Sequence, residues 1–514
     1  MLQTNPPLSA PAAAAQRQAP VALEPARFRA LGHELVDRIA DFLASVPMRP
    51  VTPGNTPAEV RAQLGTDTPL PELGADPADL LRSAAELLFG HSLLNGHPRF
   101  FGYITSSPAP IGMLGDFLAA AVNPNVGAWT LSPMATEIEA QTVRWIAELI
   151  DYPTDAGGLL VSGGNMANFV GFLAARARMA GWDVRKGGMA DPAAGRLRVY
   201  ASAETHTWVQ KATDLFGLGT DALRWIPTDA ALRMDVAALA QAIERDRAAG
   251  DRPMLVVGTA GSVSTGAVDP LPEIAGVCRE QGLWFHIDGA YGGFAAAAPG
   301  TPSDLRAIQL ADSVAVDPHK WLYSPLEAGC ALVRDREALR AAFSYHPPYY
   351  HFGTEATNYF DLGPQNSRGF RALKVWLALR QVGRTGYARM IADDIRLSRR
   401  LFERVQAHPE LEALTQALSI ATFRYVPEEL RPGLGNDRTE AWLDELNTRL
   451  LERVQASGEA FVSNAVVQGH YALRACIVNF GTAEADVDAL PGIVARLGRL
   501  QYAEMSPGPE SSQA

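Results

Sequence analysis

Two helical patterns open the chain. From Glu24 to Val46, apolar residues recur every three or four positions, which is the spacing of an amphipathic helix. A second stretch of the same kind covers about Asp76 to Phe89, after the Pro-rich connection VPMRPVTPGNTP. Such a pair is too small to bury its own apolar faces, so we expect it to pack on another part of the fold or on a partner subunit.

The middle of the chain, from about Ile111 to Arg389, alternates helical periods with short apolar runs. Runs that are rich in Val, Leu and Ile and separated by helices are typical of a mostly parallel sheet buried on both faces. The pattern therefore predicts a large α/β domain over residues 111–390. Its strand-like runs are LRVYAS from Leu197, MLVVGTA from Met254, LWFHID from Leu283, SVAVD from Ser313 and GCALV from Gly329.

The other segments complete the predicted organisation of a chain that, at 514 residues, is too long for one compact core. After about Ile391, a long helical stretch is followed by the strand-like runs SIATFRYV and YALRACIVNF. This pattern predicts a small C-terminal α+β domain over residues 391–503, while residues 23–110 form an N-terminal helical segment. The ends, 1–22 and 504–514, lack a sustained apolar pattern, so we predict that they are disordered tails.

Composition narrows the class of partner. The net charge of −11, with no basic stripe, argues against nucleic acid or an anionic membrane as the main partner. No apolar stretch approaches the roughly 20 residues that span a bilayer, and the N-terminus does not have the pattern of a signal peptide. The three cysteines, Cys278, Cys330 and Cys476, are far apart, so we expect no disulfide framework, no metal site and a cytoplasmic location.

Polar side chains follow four of the apolar runs. His206 comes after the first run, Thr259 closes the second, Asp288 ends the third, and His319 and Lys320 follow the fourth. Each alone has an ordinary structural interpretation as a cap, a turn former or a solvated charge. In an open α/β sheet, however, ligands bind beyond the carboxyl ends of the strands, and all of these residues should lie there. Together they form a site hypothesis.

A glycine turn adds a possible phosphate site. In GGLLVSGGNMANFVGFLAARAR, a short strand runs into Gly163, Gly164 and Asn165, and a helix begins at about Met166. Glycines let the backbone approach a ligand closely, and the free amides at a helix N-terminus favour an anion such as phosphate. The pattern matches neither a Walker loop nor a dinucleotide fingerprint.

These residue types together suit pyridoxal phosphate (PLP). Lys320 would form the Schiff base, and Asp288 would keep the pyridine nitrogen protonated so that the ring withdraws electrons. His206 would stack on one ring face, and the small Ala290 would allow close packing on the other. The expected cofactor contacts are Ser162, Gly163, Gly164, Asn165, His206, Thr259, Asp288, Ala290, His319 and Lys320.

The ordered motifs GGNMAN, AETHTWVQKA, HIDGAYGG and DPHKWLYSP resemble those of the group II PLP-dependent decarboxylases, the aromatic-L-amino-acid decarboxylase type. HPRFFGYITSSPAPIGML and NPNVGAWTLSPMATEIE extend the resemblance, which runs from about Ala26 to about Leu500. It implies an aspartate-aminotransferase-like fold of type I, with a large PLP-binding domain and a small C-terminal domain. It also implies that the N-terminal helices wrap a partner subunit in a homodimer.

The resemblance assigns further roles. Lys320, Asp288 and His206 match the family's catalytic residues, and FSYHPPYYHFGTEATNYFDLGPQNS matches its catalytic lid. The lid tyrosine that returns a proton to Cα after carbon dioxide leaves aligns best with Tyr349, with Tyr350 one step away. Substrate-binding positions fall on Phe101, Tyr103, Trp129 and Arg474.

Two positions depart from the family: Met166, where many relatives have Glu, and Asp317. Relatives often have Asn where this chain has Asp317, three residues before Lys320. Because an acid would repel a phosphate dianion, we expect Asp317 to point elsewhere or to bond a backbone amide.

Aromatic side chains in the matched pocket segments favour an aromatic L-amino acid such as Tyr, Dopa, Trp or Phe, converted to its amine and carbon dioxide. By comparison with relatives, Ser367 favours phenolic amines or histidine and Gly127 favours an indole, so the substrate stays open within this class. The alternatives are a decarboxylase of glutamate, 2,4-diaminobutyrate or histidine, and an aromatic aldehyde synthase, in which the lid tyrosine is Phe. The intact Lys320 argues against a non-catalytic PLP-binding protein.

Overall fold

The computed structural model describes residues 19–345 and 356–505, which divide into two compact units. The first unit holds three helices, α1 (Pro25–Ser45), α2 (Pro57–Leu64) and α3 (Pro77–His91). The apolar spacing predicts α1 and α3 as helices, which the structure confirms, and the two contact each other where the rings of Phe42 and Phe89 stack with their centroids 4.1 Å apart. Helix α2 lies in the stretch between the two predicted helices, where Thr56 and Glu59 form a capping box.

The second unit comprises residues 50–54 and the chain from Leu93 onward. Its large sheet and the helices around it are formed by α4 (Pro110–Val122), α5 (Pro133–Leu149), β1 (Gly157–Val161), α6 (Gly164–Met179), α7 (Val184–Gly187), β2 (Leu197–Ser202), α8 (Trp208–Leu215), β3 (Leu223–Ile226), α9 (Val236–Ala248), β4 (Arg252–Thr259), α10 (Leu271–Gln281), β5 (Trp284–Asp288), β6 (Ser313–Val316), β7 (Gly329–Val333) and α11 (Arg336–Phe343).

The seven strands of this sheet lie in the order β1-β7-β6-β5-β4-β2-β3. Strands β3, β2, β4, β5 and β6 are parallel, and β7 is antiparallel to both β6 and β1. Val314 and Val316 of β6 pack in one core cluster, while Ala315 between them packs in another. Both faces are therefore buried, which explains the uninterrupted apolar runs, and the predicted mostly parallel α/β sheet is confirmed.

A four-stranded antiparallel sheet, ordered β10-β11-β9-β8, lies toward the C-terminus. The elements of this part are α12 (Ala372–Gln406), β8 (Leu411–Ala417), β9 (Ile420–Tyr425), α13 (Asp437–Ser457), β10 (Ser463–Val467), β11 (His470–Cys476) and α14 (Glu484–Met505). Helix α12 begins well before Ile391, and Gly383, with φ of +68°, interrupts it. The predicted domain limit at 390/391 falls inside this helix, so the limits stay a prediction.

Strand register brings the candidate site residues to one edge. Thr259 at the end of β4 pairs with Asp288 at the end of β5, and Asp288 pairs with Ala315 near the end of β6. The residues that follow these strands therefore emerge side by side. Within residues 19–345 and 356–505, no helix combines the length and apolar character that crossing a membrane requires.

Candidate active site

A cavity of about 500 Å³ lies beyond the carboxyl ends of β1, β4, β5 and β6. The small sheet supplies part of its wall through residues of β10 and β11. The cavity therefore gathers the residues that the sequence pattern placed at one sheet edge. The predicted site residues that line it are Tyr103, Ser162, Gly163, Gly164, Asn165, His206, Thr259, Asp288, Ala290, His319, Lys320 and Arg474.

Lys320 forms an ion pair at the floor of the cavity. Its Nζ lies 3.1 Å from Asp317 Oδ2, and the two side chains are 18% and 2% exposed. His319 Nε2 lies 3.7 Å from the same oxygen, while its Nδ1 lies 2.7 Å from the Ala328 carbonyl oxygen. Burial is the main cause that lowers the pKa of His319, and the Asp317 carboxylate opposes it.

The expectation that Asp317 points elsewhere or bonds a backbone amide is wrong, because its side chain lines the cavity and pairs with Lys320. Strand β6 ends at Val316, and in the turn that follows the Lys320 amide donates to the Asp317 carbonyl at 2.9 Å. This turn brings the two side chains, three residues apart, to the same side. Asp317 Oδ1 is buried and has no hydrogen-bond partner among the described residues.

The carboxylate of Asp288 is held at both oxygens. Oδ2 accepts a hydrogen bond from the indole Nε1 of Trp208 at 2.7 Å, and Oδ1 accepts one from the Ala290 amide at 3.1 Å. Asp288 is buried yet lines the cavity, so its orientation toward a ligand is fixed before any ligand binds. The sequence pattern predicted Asp288 but missed Trp208, which lies 80 residues away along the chain.

His206 stands at the cavity wall just before α8. Its Nδ1 accepts a hydrogen bond from the Trp208 backbone amide at 3.2 Å. Burial lowers the pKa of His206, and the Asp288 carboxylate opposes this effect. Thr259, which closes β4, contacts Thr205 through their hydroxyl oxygens at 3.2 Å.

Asp269 supports the end of β4 through hydrogen bonds to backbone amides, and no sequence pattern predicted this role. Its Oδ2 accepts a hydrogen bond from the Thr259 amide at 2.8 Å, and its Oδ1 accepts one from the Met234 amide at 2.7 Å. Burial raises the pKa of Asp269 to about 6, although both amide donors act against this rise. The carboxylate thus supports the strand end that carries Thr259.

The glycine turn has the shape that a phosphate site requires. Gly163 has φ of +96°, a conformation that favours glycine, and α6 begins at the next residue. A Cβ on Gly164 would lie 2.7 Å from Asp317 Oδ2 and 3.1 Å from Ala290 Cβ, so a side chain there would crowd the cavity. The 16-residue helix directs its N-terminal amides toward this end, where an anion is favoured.

Arg474 brings unpaired donors to the opposite wall. Its side chain is buried, and one terminal nitrogen donates to the Tyr103 carbonyl and to Ser463 Oγ, both at 3.0 Å. Its Nε and its other terminal nitrogen are buried without a partner in the described part of the chain. Buried unpaired donors of this kind are costly, so they indicate an anionic ligand group.

These features fit PLP. The amine of Lys320 can hold an aldehyde carbon, the carboxylate of Asp288 can hold a pyridine nitrogen, and the N-terminus of α6 can hold a phosphate. The described residues contain no cluster of His, Cys, Asp and Glu that could hold a metal ion.

Two of the predicted residues that the structure describes do not line this cavity. Phe101 is fully buried in the core of the small sheet, because its backbone pairs with Phe461 and positive φ at Tyr103 then turns the chain toward the cavity. The substrate-binding prediction for Phe101 is therefore corrected. Trp129 lies outside the cavity and donates through Nε1 to Glu137 at 2.8 Å. Tyr349 lies outside the described residues.

Comparison with known proteins supplies the family. The family described as "Pyridoxal-dependent decarboxylase conserved domain" matches residues 57–426. An aromatic-L-amino-acid decarboxylase of Bacillus atrophaeus is 32% identical over 456 residues, which are 88% of this chain and 91% of that protein. A phenylacetaldehyde synthase from a Rosa hybrid cultivar is 29% identical over 479 residues, 90% of this chain and 92% of that protein.

The fold comparison agrees with the sequence comparison. The crystal structure of Oryza sativa TDC with PLP and tryptamine superposes with a TM-score of 0.85 at 28% identity, covering 93% of this chain and 99% of that one. This agreement confirms the predicted type I fold and PLP as the cofactor. Since the family match spans well over half of the sequence and the cavity is built to receive that cofactor, the chain belongs to the pyridoxal-dependent decarboxylases, which are carboxy-lyases.

Proposed function

We propose that this enzyme converts an aromatic L-amino acid into the corresponding amine and carbon dioxide. The observation that carries the proposal is the charge of the cavity. Among the described residues that line it, Lys320 and Arg474 are the only Lys or Arg side chains. Lys320 is needed for the cofactor and Arg474 can receive one carboxylate, so a second, side-chain carboxylate would lack a cationic partner. The relatives named for aromatic substrates support the same class.

The side chains have distinct roles in this proposal. Bound PLP supplies the electron-withdrawing ring that makes loss of carbon dioxide possible. Lys320 holds the cofactor covalently, Asp288 holds its pyridine nitrogen, and His206 covers one face of its ring. Arg474 binds the carboxylate of the incoming amino acid, and Tyr349 returns a proton to the substrate carbon.

A second copy of this chain is the proposed partner. Large apolar side chains on α4, in the turn before α5 and at the start of α5 are between 53% and 73% exposed, which is unusual for a monomer surface. They are Leu114, Phe117, Leu118, Val122, Leu131 and Met134. Trp129 lies in the same part of the sequence, outside the cavity of its own chain, so its proposed substrate contact would be made in the second copy.

The buried free thiols of the three cysteines are consistent with a cytoplasmic location.

The dimer proposal has a direct test. Phe117→Asp introduces a charge on this surface, and Leu310→Asp is the matched control, because Leu310 is similarly exposed on a different element. Sedimentation analysis should show a dimer for the natural chain and for the control, and a monomer for Phe117→Asp. A monomeric natural chain, or two variants that behave alike, would refute this partner.

The reaction is tested with a panel of L-amino acids on the PLP-loaded enzyme. We expect amine and carbon dioxide in equal amounts from at least one of Tyr, Dopa, Trp and Phe. Glutamate, 2,4-diaminobutyrate and histidine serve as the comparison set. Turnover of that set alone would overturn the aromatic assignment, and aldehyde with ammonia in place of amine would identify an aldehyde synthase.

A further inference from the structure

Trp208 contacts both residues that are proposed to contact the cofactor ring. We propose that it is a positioning residue, which holds Asp288 through its side chain and His206 through its backbone. The inference rests on the roles proposed for Asp288 and His206, and it assigns the task of orienting them to a residue outside the cavity lining.

Trp208 makes two hydrogen bonds and one ring contact. It is the first residue of α8, and its side chain is fully buried. The indole Nε1 donates to Asp288 Oδ2 at 2.7 Å, while the backbone amide donates to His206 Nδ1 at 3.2 Å. The indole ring meets the imidazole of His286 edge-on, with the centroids 5.5 Å apart and the planes at 77°. The indole is therefore fixed from two sides.

The indole bond acts on the charge of Asp288. A hydrogen bond donated to a buried carboxylate stabilises the ionised form and is stronger than a bond between neutral groups. An ionised Asp288 leaves the proton on the pyridine nitrogen of the cofactor, which keeps the ring electron-poor. Without the indole, the buried Oδ2 would lose this donor, and the proton shared with the pyridine nitrogen would move toward the carboxylate.

The backbone bond acts on the tautomer of His206. Because Nδ1 accepts a hydrogen bond, the proton of the neutral imidazole must be on Nε2. This contact uses the amide of Trp208 and not its side chain. A substitution of the indole therefore separates the two effects: it should change Asp288 and leave the tautomer of His206 as it is.

The imidazole of His286, which packs against the indole of Trp208, carries no charge that would compete with the indole bond to Asp288. His286 is fully buried, with Nδ1 2.7 Å from Ser313 Oγ and Nε2 2.7 Å from Asn168 Oδ1. Burial lowers the pKa of His286, so the ring stays neutral near pH 7. Trp284 donates to the same Ser313 hydroxyl at 2.8 Å and does not bond Asp288, which makes it a natural control.

The test compares Trp208→Phe with Trp284→Phe. Both variants remove a buried indole from the same region, but only the first removes a donor to Asp288. The holoenzyme is prepared with PLP labelled with ¹⁵N at the ring, and the nitrogen shift is recorded without substrate. We expect Trp208→Phe to move the signal toward the unprotonated position and to weaken PLP binding about 10-fold, as for the loss of one buried hydrogen bond. Trp284→Phe should change neither quantity.

A second substitution separates donor loss from loss of shape. Benzothienylalanine at position 208 has the shape of tryptophan without the N–H, so it should shift the nitrogen signal even if Trp208→Phe does not fold. An unchanged signal in a folded variant at position 208, or an equal shift in Trp284→Phe, would overturn the inference.

Asp288→Asn distinguishes failure of the inference from failure of the proposed function. If Asp288→Asn moves the nitrogen signal and the changes at position 208 do not, Trp208 has no positioning role. If none of them moves it, the proposed contact between Asp288 and the pyridine nitrogen is itself wrong.

Discussion

Replacing Asp394 by asparagine should change the stability of the cofactor-free enzyme, measured against the natural chain, more favourably at pH 8 than at pH 5. Asp394 is a buried residue of α12, and its Oδ2 accepts hydrogen bonds from Trp321 Nε1 at 2.9 Å and from the Tyr323 hydroxyl at 2.7 Å. Burial raises the pKa of its carboxyl from 3.8 to about 7, against the effect of both donors. The folded chain therefore binds this proton more tightly than the unfolded chain does.

The sign and the size of the effect follow from linkage. The contribution of the Asp394 carboxyl to stability is fully present below about pH 4 and is lost as the pH rises through 7. The pKa of about 7 lies about two pH units above pH 5, so between pH 5 and pH 8 the natural chain loses about 2.7 kcal/mol of this contribution. With an unfolding entropy of about 1 kcal/mol per kelvin for 514 residues, this is about 2 to 3 °C in the unfolding temperature. Asparagine does not titrate, so the variant escapes this loss.

The assay is thermal unfolding of both proteins, followed by circular dichroism from pH 5 to pH 8.5. The quantity of interest is the difference in unfolding temperature between Asp394→Asn and the natural chain, because other titrating groups cancel in it. Asp393→Asn is the matched control, since Asp393 is the adjacent residue on α12 and is exposed. The difference should rise with pH and level off above pH 7. A difference that is constant with pH, or one that falls, would refute the reasoning.

Three further predictions concern the proposed chemistry. Lys320→Ala should lose the visible absorbance of bound PLP after gel filtration and lose turnover; retained turnover would remove Lys320 from its role. Arg474→Met should raise KM about 10- to 100-fold, because two buried donors no longer meet a carboxylate, and Arg474→Lys should recover part of the loss; an unchanged KM in steady-state assays would contradict this. Tyr349→Phe should divert product from amine to aldehyde and ammonia, with uptake of dissolved dioxygen and release of hydrogen peroxide, while Tyr350→Phe should not, and product analysis showing the reverse would move the role to Tyr350.

The sheet edge could be predicted because its signal is local. The central strands β5 and β6 of the large sheet are buried on both faces, so each appears as a continuous apolar run, and the residues at the end of such a run lie at the carboxyl edge. Thr259, Asp288 and Lys320 were found in this way, without knowledge of which strands are neighbours.

The residues that were missed depend on distant partners. Trp208 meets Asp288 over 80 residues and Trp321 meets Asp394 over 73, and no periodic pattern records such contacts. Phe101 was misassigned because the sequence near a pocket segment does not show whether an aromatic ring enters the pocket or the core. The start of α12 was placed too late because Gly383 divides a helix that then continues.

The position of Arg474 on the small sheet affects how the substrate range of this enzyme can be engineered. Asp288 ends β5 of the large sheet and Lys320 lies in the turn after β6, whereas Arg474 and Ser463 belong to β11 and β10 of the small sheet. The proposed sites of cofactor attachment and carboxylate binding are thus carried by two different sheets. Substrate range can be re-engineered by exchanging residues along the small sheet, such as Asn464, while the machinery that retains PLP is left intact.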